Sequence, residues 1–307
     1  MGVINTGSFS NALWPGQKKW FGEVYDTWPV EYLDLFDEES STKAFEEITG
    51  ISGFGLFSEK AEMAGILFDE ASQAFVNRFN NKTYTSGYIV SLEAIEDNQY
   101  DISALGKTSA KGLAFAMRST KETLAANVYN RAFNATYTYG DGVELCSLLH
   151  PLKAGGTFAN ELAIAADLSE ASLEQACLDV EGFTDDRGNK IKVIPQSLHI
   201  EKSNRFEAMR ILDSIMQYDS ANHNVNALKA AGFFPGGAKV NHYFTDADAW
   251  FIRNKIPAGT GMLYMNRVDK EFAPDNDFDT TNAKFRGRFR CSFGNADPRA
   301  VFGSPGA

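Results

Sequence analysis

Between Lys284 and Phe293 the chain alternates without a break, with Phe285, Gly287, Phe289, Cys291 and Phe293 on one set of positions and Lys284, Arg286, Arg288 and Arg290 on the other. Successive side chains of an extended strand point to opposite faces, so this stretch predicts a strand with one apolar and one strongly basic face. Four cations do not enter a core, and three phenylalanines do not rest in water. The strand must border a core on one side and seek anions on the other.

A partner for the apolar face lies upstream. No proline occurs between Pro29 and Pro151, and from about 101 to 134 apolar residues recur at Ile102, Leu105, Leu113, Met117, Leu124 and Val128, with alanines between them. Spacings of three, four and their sums predict an amphipathic helix. At 1.5 Å per residue it would run on the order of 50 Å and act as a spine for the basic strand to pack on. The stretch from about Thr42 to Val90 instead mixes glycines with β-prone runs such as Ala74-Phe75-Val76 and Thr83-Tyr84-Thr85, and predicts a long β-hairpin. Its middle, Gly53 to Lys60, includes Phe54, Leu56 and Phe57. That composition is awkward for a ribbon left alone in water, and a neighbouring subunit is the expected cover.

The first 40 residues hold Trp14, Trp20 and Trp28 with Phe21, Tyr25, Tyr32 and Phe36, too many rings for a free tail. Aromatic side chains anchor protein contacts, so this segment predicts an arm buried either on a neighbour or on its own chain. After Pro151 the pattern becomes alternating short elements: a helix opened by Asp167 or Ser169 and running through Val180, a turn at Thr184 to Gly188, a strand from Lys190 to Ile194, and a helix from Arg205 to Met216. Further strands are expected at Ala238 to Phe244, Trp250 to Arg253 and Met262 to Met265, giving a mixed α+β class.

Composition narrows the function. At 307 residues, two connected subdomains are expected. A net charge of -11 argues against a protein whose task is gripping phosphate backbones. The three cysteines, Cys146, Cys177 and Cys291, fit neither a disulfide framework nor a zinc pattern and read as reduced thiols. No signal-peptide order and no run of about 18 apolar residues is present, so no membrane association is expected.

Motifs for chemistry are missing where they would be sought. The glycines from Gly50 to Gly55 lack the Gly-Lys-Ser/Thr of a phosphate cradle, and Asp275 to Asp279 lacks the glycine and terminal glutamate of a calcium loop. The histidines His150, His199, His223 and His242 have no metal-ligand spacing, and no nucleophile elbow occurs. No catalytic residue, cofactor or metal is therefore expected. An enzyme with an unfamiliar spatial site is the remote alternative.

The chain resembles the major capsid proteins of tailed bacteriophages with the Hong Kong 97 fold. The resemblance is carried by Ser41 to Glu47 before the glycine-rich hairpin, Asn130-Arg131-Ala132-Phe133-Asn134 at the helix end, and Gly140-Asp141-Gly142 through His150-Pro151-Leu152. It continues in Gly182 to Gly188, Gly232-Phe233-Phe234-Pro235-Gly236-Gly237, Asn241-His242-Tyr243-Phe244, Asp277-Phe278-Asp279 and Ser292-Phe293-Gly294. It implies an N-terminal arm (1–40), an extended β-hairpin loop (41–90), a peripheral domain with the spine helix (91–143), an axial domain (144–257) and return strands of the peripheral domain (258–307). It further implies self-assembly into hexamers and pentamers of an icosahedral shell around double-stranded DNA, with decoration and portal proteins and either a separate scaffold protein or none as further partners. Assembly in the host cytoplasm and residence in the virion follow from it. Some relatives crosslink a loop lysine to a neighbour's asparagine; Lys60 sits in the loop, with an ordinary exposed lysine as the alternative. A nanocompartment shell of the same fold, enclosing protein cargo, is the rival reading.

The chain is also polarised. Residues 1–40 carry seven acidic and two basic side chains, and residues 281–307 five basic and one acidic. Arg286, Arg288 and Arg290 are thus expected to meet acids of an adjacent arm or loop, the competing partners being acids of their own chain. Together with Trp14, Trp20, Trp28, Phe54, Phe57 and Lys60 they form the expected contact set between subunits.

Overall fold

The computed structural model describes residues 18–63, 65–91, 102–217, 224–256, 261–276 and 282–307. Trp14 and Asp277 to Asp279 lie outside them.

The alternating stretch is strand β11 (Ala283–Asn295), and it organises the first half of the molecule. It pairs antiparallel with β10 (Met262–Asn276) on one side and with β4 (Lys82–Val90) on the other, while β1 (Asp37–Ser40) joins β10 in parallel. The apolar face of β11 packs on the spine helix α3 (Ile102–Asn130), as its sequence requires. Gly287 makes that approach possible: a Cβ there would meet Leu113 and Met117 side-chain carbons at 3.1 to 3.3 Å. Across the strands, Phe285 stacks on Tyr88 and Phe289 on Tyr84, with ring centroids 4.9 and 5.0 Å apart. Burying each phenylalanine is worth roughly 2–3 kcal/mol.

The N-terminal segment closes this core from the other side. Helix α1 (18–27) turns Phe21 and Tyr25 inward, four residues apart, and ends before Pro29. The single-turn helix α2 (Tyr32–Leu35) adds Tyr32 and Leu35. Phe21, Tyr25, Tyr32 and Phe36 therefore dock on their own chain, which decides between the two alternatives for these four rings. Phe21 meets Phe272 and Tyr32 meets Tyr264, both on β10, while Phe36 sits between Phe293 of β11 and Tyr129 of the spine helix.

Strands β2 (Phe45–Ser52) and β3 (Ser72–Asn80) form the hairpin. The ribbon is shorter than the 42–90 stretch expected, because β4 leaves it and enters the main sheet through β11. Tyr84 and Tyr88 have apolar partners there that the hairpin lacks.

A short ribbon of β5 (His150–Pro151) and β6 (Thr157–Phe158) leads into a second core, which lies between residues 158 and 252 and includes Phe302. Its sheet runs β12 (Val301–Ser304), β9 (Trp250–Lys255), β7 (Ile194–Ile200), β8 (Ala238–Val240). Helix α4 (Glu170–Glu181) starts at the expected cap, where Ser169 and Ser172 exchange side-chain-to-backbone hydrogen bonds. Two expectations shift. The strand placed at 190–194 begins at Ile194 and continues to Ile200, with the register slipping between Pro195 and Ser197, so the proline is absorbed at a bulge instead of ending the strand. The helix placed at 205–216 is α5 (Arg205–Asp213) and stops three residues earlier. Helix α6 (Ala227–Ala230) follows.

The two cores share a wall. In β9, Trp250 and Ile252 face the second core and Phe251 the first; in β12, Val301 faces the first and Phe302 the second. The last strand thus belongs to the second sheet, unlike the preceding return strands β10 and β11.

Candidate functional site

Residues 53–71, joining β2 to β3, expose a row of large apolar side chains. Phe57, Leu56 and Phe68 are 98%, 85% and 94% exposed, and Phe54, Met63 and Leu67 are exposed as well. Glu59, Lys60 and Glu62 stand among them in water. Nothing in the local sequence offers a second layer: glycines at 53, 55 and 65 flank the apolar residues, and no strand forms among the described residues of the segment. An exposed apolar ridge of this kind marks an interaction surface.

On the basic face of β11, Arg286 and Arg288 both reach Glu271 of β10, each at 3.2 Å, and Arg290 Nε donates to the Asn81 carbonyl at 3.2 Å. The first partners of these arginines are therefore on their own chain. Among the described residues, Glu271 and Asp275 against Lys284 and three guanidiniums leave the face positive. Thr83, Thr85 and Gly87 of β4 lie opposite Arg290, Arg288 and Arg286 and add no charge.

Of the tryptophans, Trp28 is exposed beside Phe115 of the spine helix, with centroids 4.9 Å apart, and Trp20 is half-buried. Among the described residues, Phe54, Phe57 and Lys60 fall on the loop ridge, Arg286, Arg288 and Arg290 on the basic sheet face, and Trp28 beside Phe115.

A groove of about 530 Å³ runs between the C-terminal part of α3, β3 and β11. Arg78, Lys82 and Arg131 line it, Leu124 and Val128 form part of its apolar floor, and no carboxylate among the described residues lines it. The buried Oδ1 of Asn295 and the Oγ of Ser292, both in the lining, have no hydrogen-bond partner among the described residues.

His150 and Asp141 pair at 2.6 Å, an arrangement that invites comparison with a catalytic dyad. The imidazole is sealed, stacks on Phe158 at 5.0 Å, and has its second nitrogen 3.0 Å from Asn160 Oδ1. Both ring nitrogens are occupied within the fold, so the pair is a structural tie. Among the described residues no cluster of three metal-ligating side chains exists, and no helix is long and apolar enough to cross a membrane.

The sequence reading missed a buried charged cluster on the spine helix: Arg118, Lys121 and Glu122. Glu122 accepts the backbone N–H groups of Glu31 and Tyr32 at 3.1 and 2.9 Å and so holds α2. Burial pushes its carboxyl up to about 7, with those two hydrogen bonds opposing. The available signal was Lys121 itself, four residues after Met117 on the apolar stripe.

The phage capsid protein family matches residues 79–303, more than half of the chain. No curated protein matches the sequence. Among solved structures, the capsid structure of cyanophage P-SCSP1u aligns with a TM-score of 0.54 at 11% identity, covering 91% of this chain and 88% of that one. The virus-like particle from Pyrococcus furiosus aligns with a TM-score of 0.52 at 10% identity, covering 94% and 97%. At such identities the likeness is one of fold.

Proposed function

The chain belongs to the phage capsid protein family, and we propose that it is the major head subunit of a tailed phage, assembling as hexamers and pentamers into an icosahedral shell around double-stranded DNA. Its role is structural, in the virion, after assembly in the host cytoplasm. The observation that carries this reading is the loop ridge, whose apolar side chains have no cover among the described residues. A patch of one copy meeting a different patch of the next generates rings when the rotation closes.

The arginine-rimmed groove suits the loop as a receiving surface. It is positive and apolar, while the loop tip is apolar with Glu59 and Glu62. The excess charge of Arg286, Arg288 and Arg290 is assigned to acids of an adjacent arm or loop, and Trp14, Trp20 and Trp28 to anchoring. Exposed ion pairs contribute about 0–1 kcal/mol each, so they set register and aromatic burial supplies strength. In this reading the first core is the peripheral domain and the second the axial domain. Scaffold, decoration and portal proteins are further partners.

The fold likeness to a virus-like particle favours a second reading, a shell around protein cargo. Electron microscopy of the purified, overexpressed protein tests the shared claim: rings or closed shells are expected, and a monodisperse monomer at high concentration refutes it. Cargo of particles from the natural source separates the two, DNA for a head and protein for a nanocompartment.

A further inference from the structure

The loop between β2 and β3 is tied at its neck to a distant part of the chain. Arg187 Nη1 lies 2.8 Å from Asp69 Oδ2 and 3.0 Å from Oδ1, and Nη2 lies 3.0 Å from Oδ1. Nη2 also donates to the Glu70 carbonyl at 2.7 Å. From the other side of the neck, Gly55 N–H donates to Asp69 Oδ2 at 2.8 Å, and the Phe54 carbonyl accepts from Asn189 Nδ2 at 3.3 Å. Both limbs of the loop are thereby joined to one turn in the second half of the molecule.

That turn is built to hold still. Asp185 Oδ1 accepts the backbone N–H groups of Arg187 and Asn189, both at 2.8 Å. Gly188 closes the turn in the left-handed region at φ 83°. Behind it the buried Arg299 donates to the Thr184 carbonyl and to Asp186, each at 2.8 Å. A guanidinium meeting a carboxylate through two nitrogens sets direction as well as distance, which a lysine does not.

We infer that Arg187 and Asp69 form a positioning clamp that holds the loop's apolar ridge in the orientation in which a second copy of this chain receives it. This rests on the reading of the chain as a shell subunit. The same contact could in principle shield the loop until assembly, and the exposures decide against that. Leu56, Phe57 and Phe68, on both limbs beyond the clamp, stay almost wholly in water. The clamp covers none of the ridge; it orders the neck and leaves the tip facing out. Ordering the loop before association removes part of the entropy loss from the docking step.

The test compares wild type, Arg187→Lys, Arg187→Asp and the exchange Asp69→Arg/Arg187→Asp. Chymotryptic cleavage within 53–71 is measured on dilute, unassembled subunits, and the threshold concentration for assembly by light scattering. Cleavage about fivefold faster in Arg187→Asp is expected, the size of one good exposed pair, with the melting midpoint little changed. The threshold should rise several-fold, Arg187→Lys should fall between, and the exchange should recover much of both. Unchanged cleavage in Arg187→Asp overturns the clamp whatever assembly does. Faster cleavage with an unchanged or lowered threshold overturns its presenting role. If wild type never assembles, the shell reading fails and the presenting role with it, while cleavage still reports on the clamp.

Discussion

Lys121 Nζ, fully buried on the spine helix, lies 2.6 Å from Asp269 Oδ1 on β10, and Asp269 is itself half exposed. The rings of Tyr25 and Phe289 lie 5.4 Å from the ammonium. Burial pushes this amine below the usual lysine range, and Asp269 opposes the shift. Removing the carboxylate strands a cation in the core, whereas removing the cation frees a carboxylate that already touches water. Asp269→Ala is expected to cost about 2–3 kcal/mol and Lys121→Met, of similar volume, less than about 1 kcal/mol. Urea denaturation measures both, and equal losses would contradict this account.

Glu122 sets a pH dependence. Its carboxyl is raised from 4.5 to about 7 in the folded chain, chiefly by burial. The folded state therefore holds a proton that the unfolded state has released. Its contribution to stability is complete below about pH 4.5 and lost as pH rises through about 7, amounting to up to about 3 kcal/mol. Glu122→Gln cannot ionise and should lack this decline. Thermal unfolding of both forms from pH 4.5 to 8 reads the difference; parallel curves would disprove the assignment.

Asn160 is completely buried, and it ties the start of the second unit to the C-terminus. Its Oδ1 accepts from Ser147 N–H at 2.8 Å, and its Nδ2 donates to the carbonyls of Leu145, Pro298 and Val301 at 2.8, 2.9 and 3.1 Å. Asn160→Ala leaves several buried groups unpaired and is expected to destabilise by about 3–4 kcal/mol. Asn160→Asp should do no better, since three carbonyls would face an acceptor. Chemical denaturation of either variant within about 1 kcal/mol of wild type would show the network to be dispensable.

Phe57 offers the opposite case. With 98% of it in water, Phe57→Ser should leave subunit stability within about 0.5 kcal/mol of wild type. Shell yield, counted by electron microscopy, should collapse. Normal shells from this variant would remove the loop ridge from the assembly surface.

What could be read in advance followed from periodicity and punctuation. The two-residue alternation of β11 dictated which face met the spine helix, and the helical stripe from Leu113 to Val128 supplied the matching surface. Ser169 announced α4 because a capping side chain acts within three residues of itself. The strand expected at Lys190 to Ile194 forms instead over Ile194–Ile200, since the bulge that accommodates Pro195 depends on β9 alongside, and no local pattern reports a neighbour strand.

Local chemistry in the sequence thus determined the strand faces, the spine helix, the exposed apolar loop and the lack of recognised motifs for chemistry. Tertiary structure decided which apolar residues found cover among the described residues of their own chain: Phe21, Tyr25, Tyr32 and Phe36 did, while Phe57 and Phe68 did not. It also decided that Arg286 and Arg288 share Glu271, and that Arg187 reaches Asp69. The reason is physical. Side-chain periodicity is set by bonds a few residues long, whereas burial and charge pairing depend on which distant surfaces the folded chain brings together.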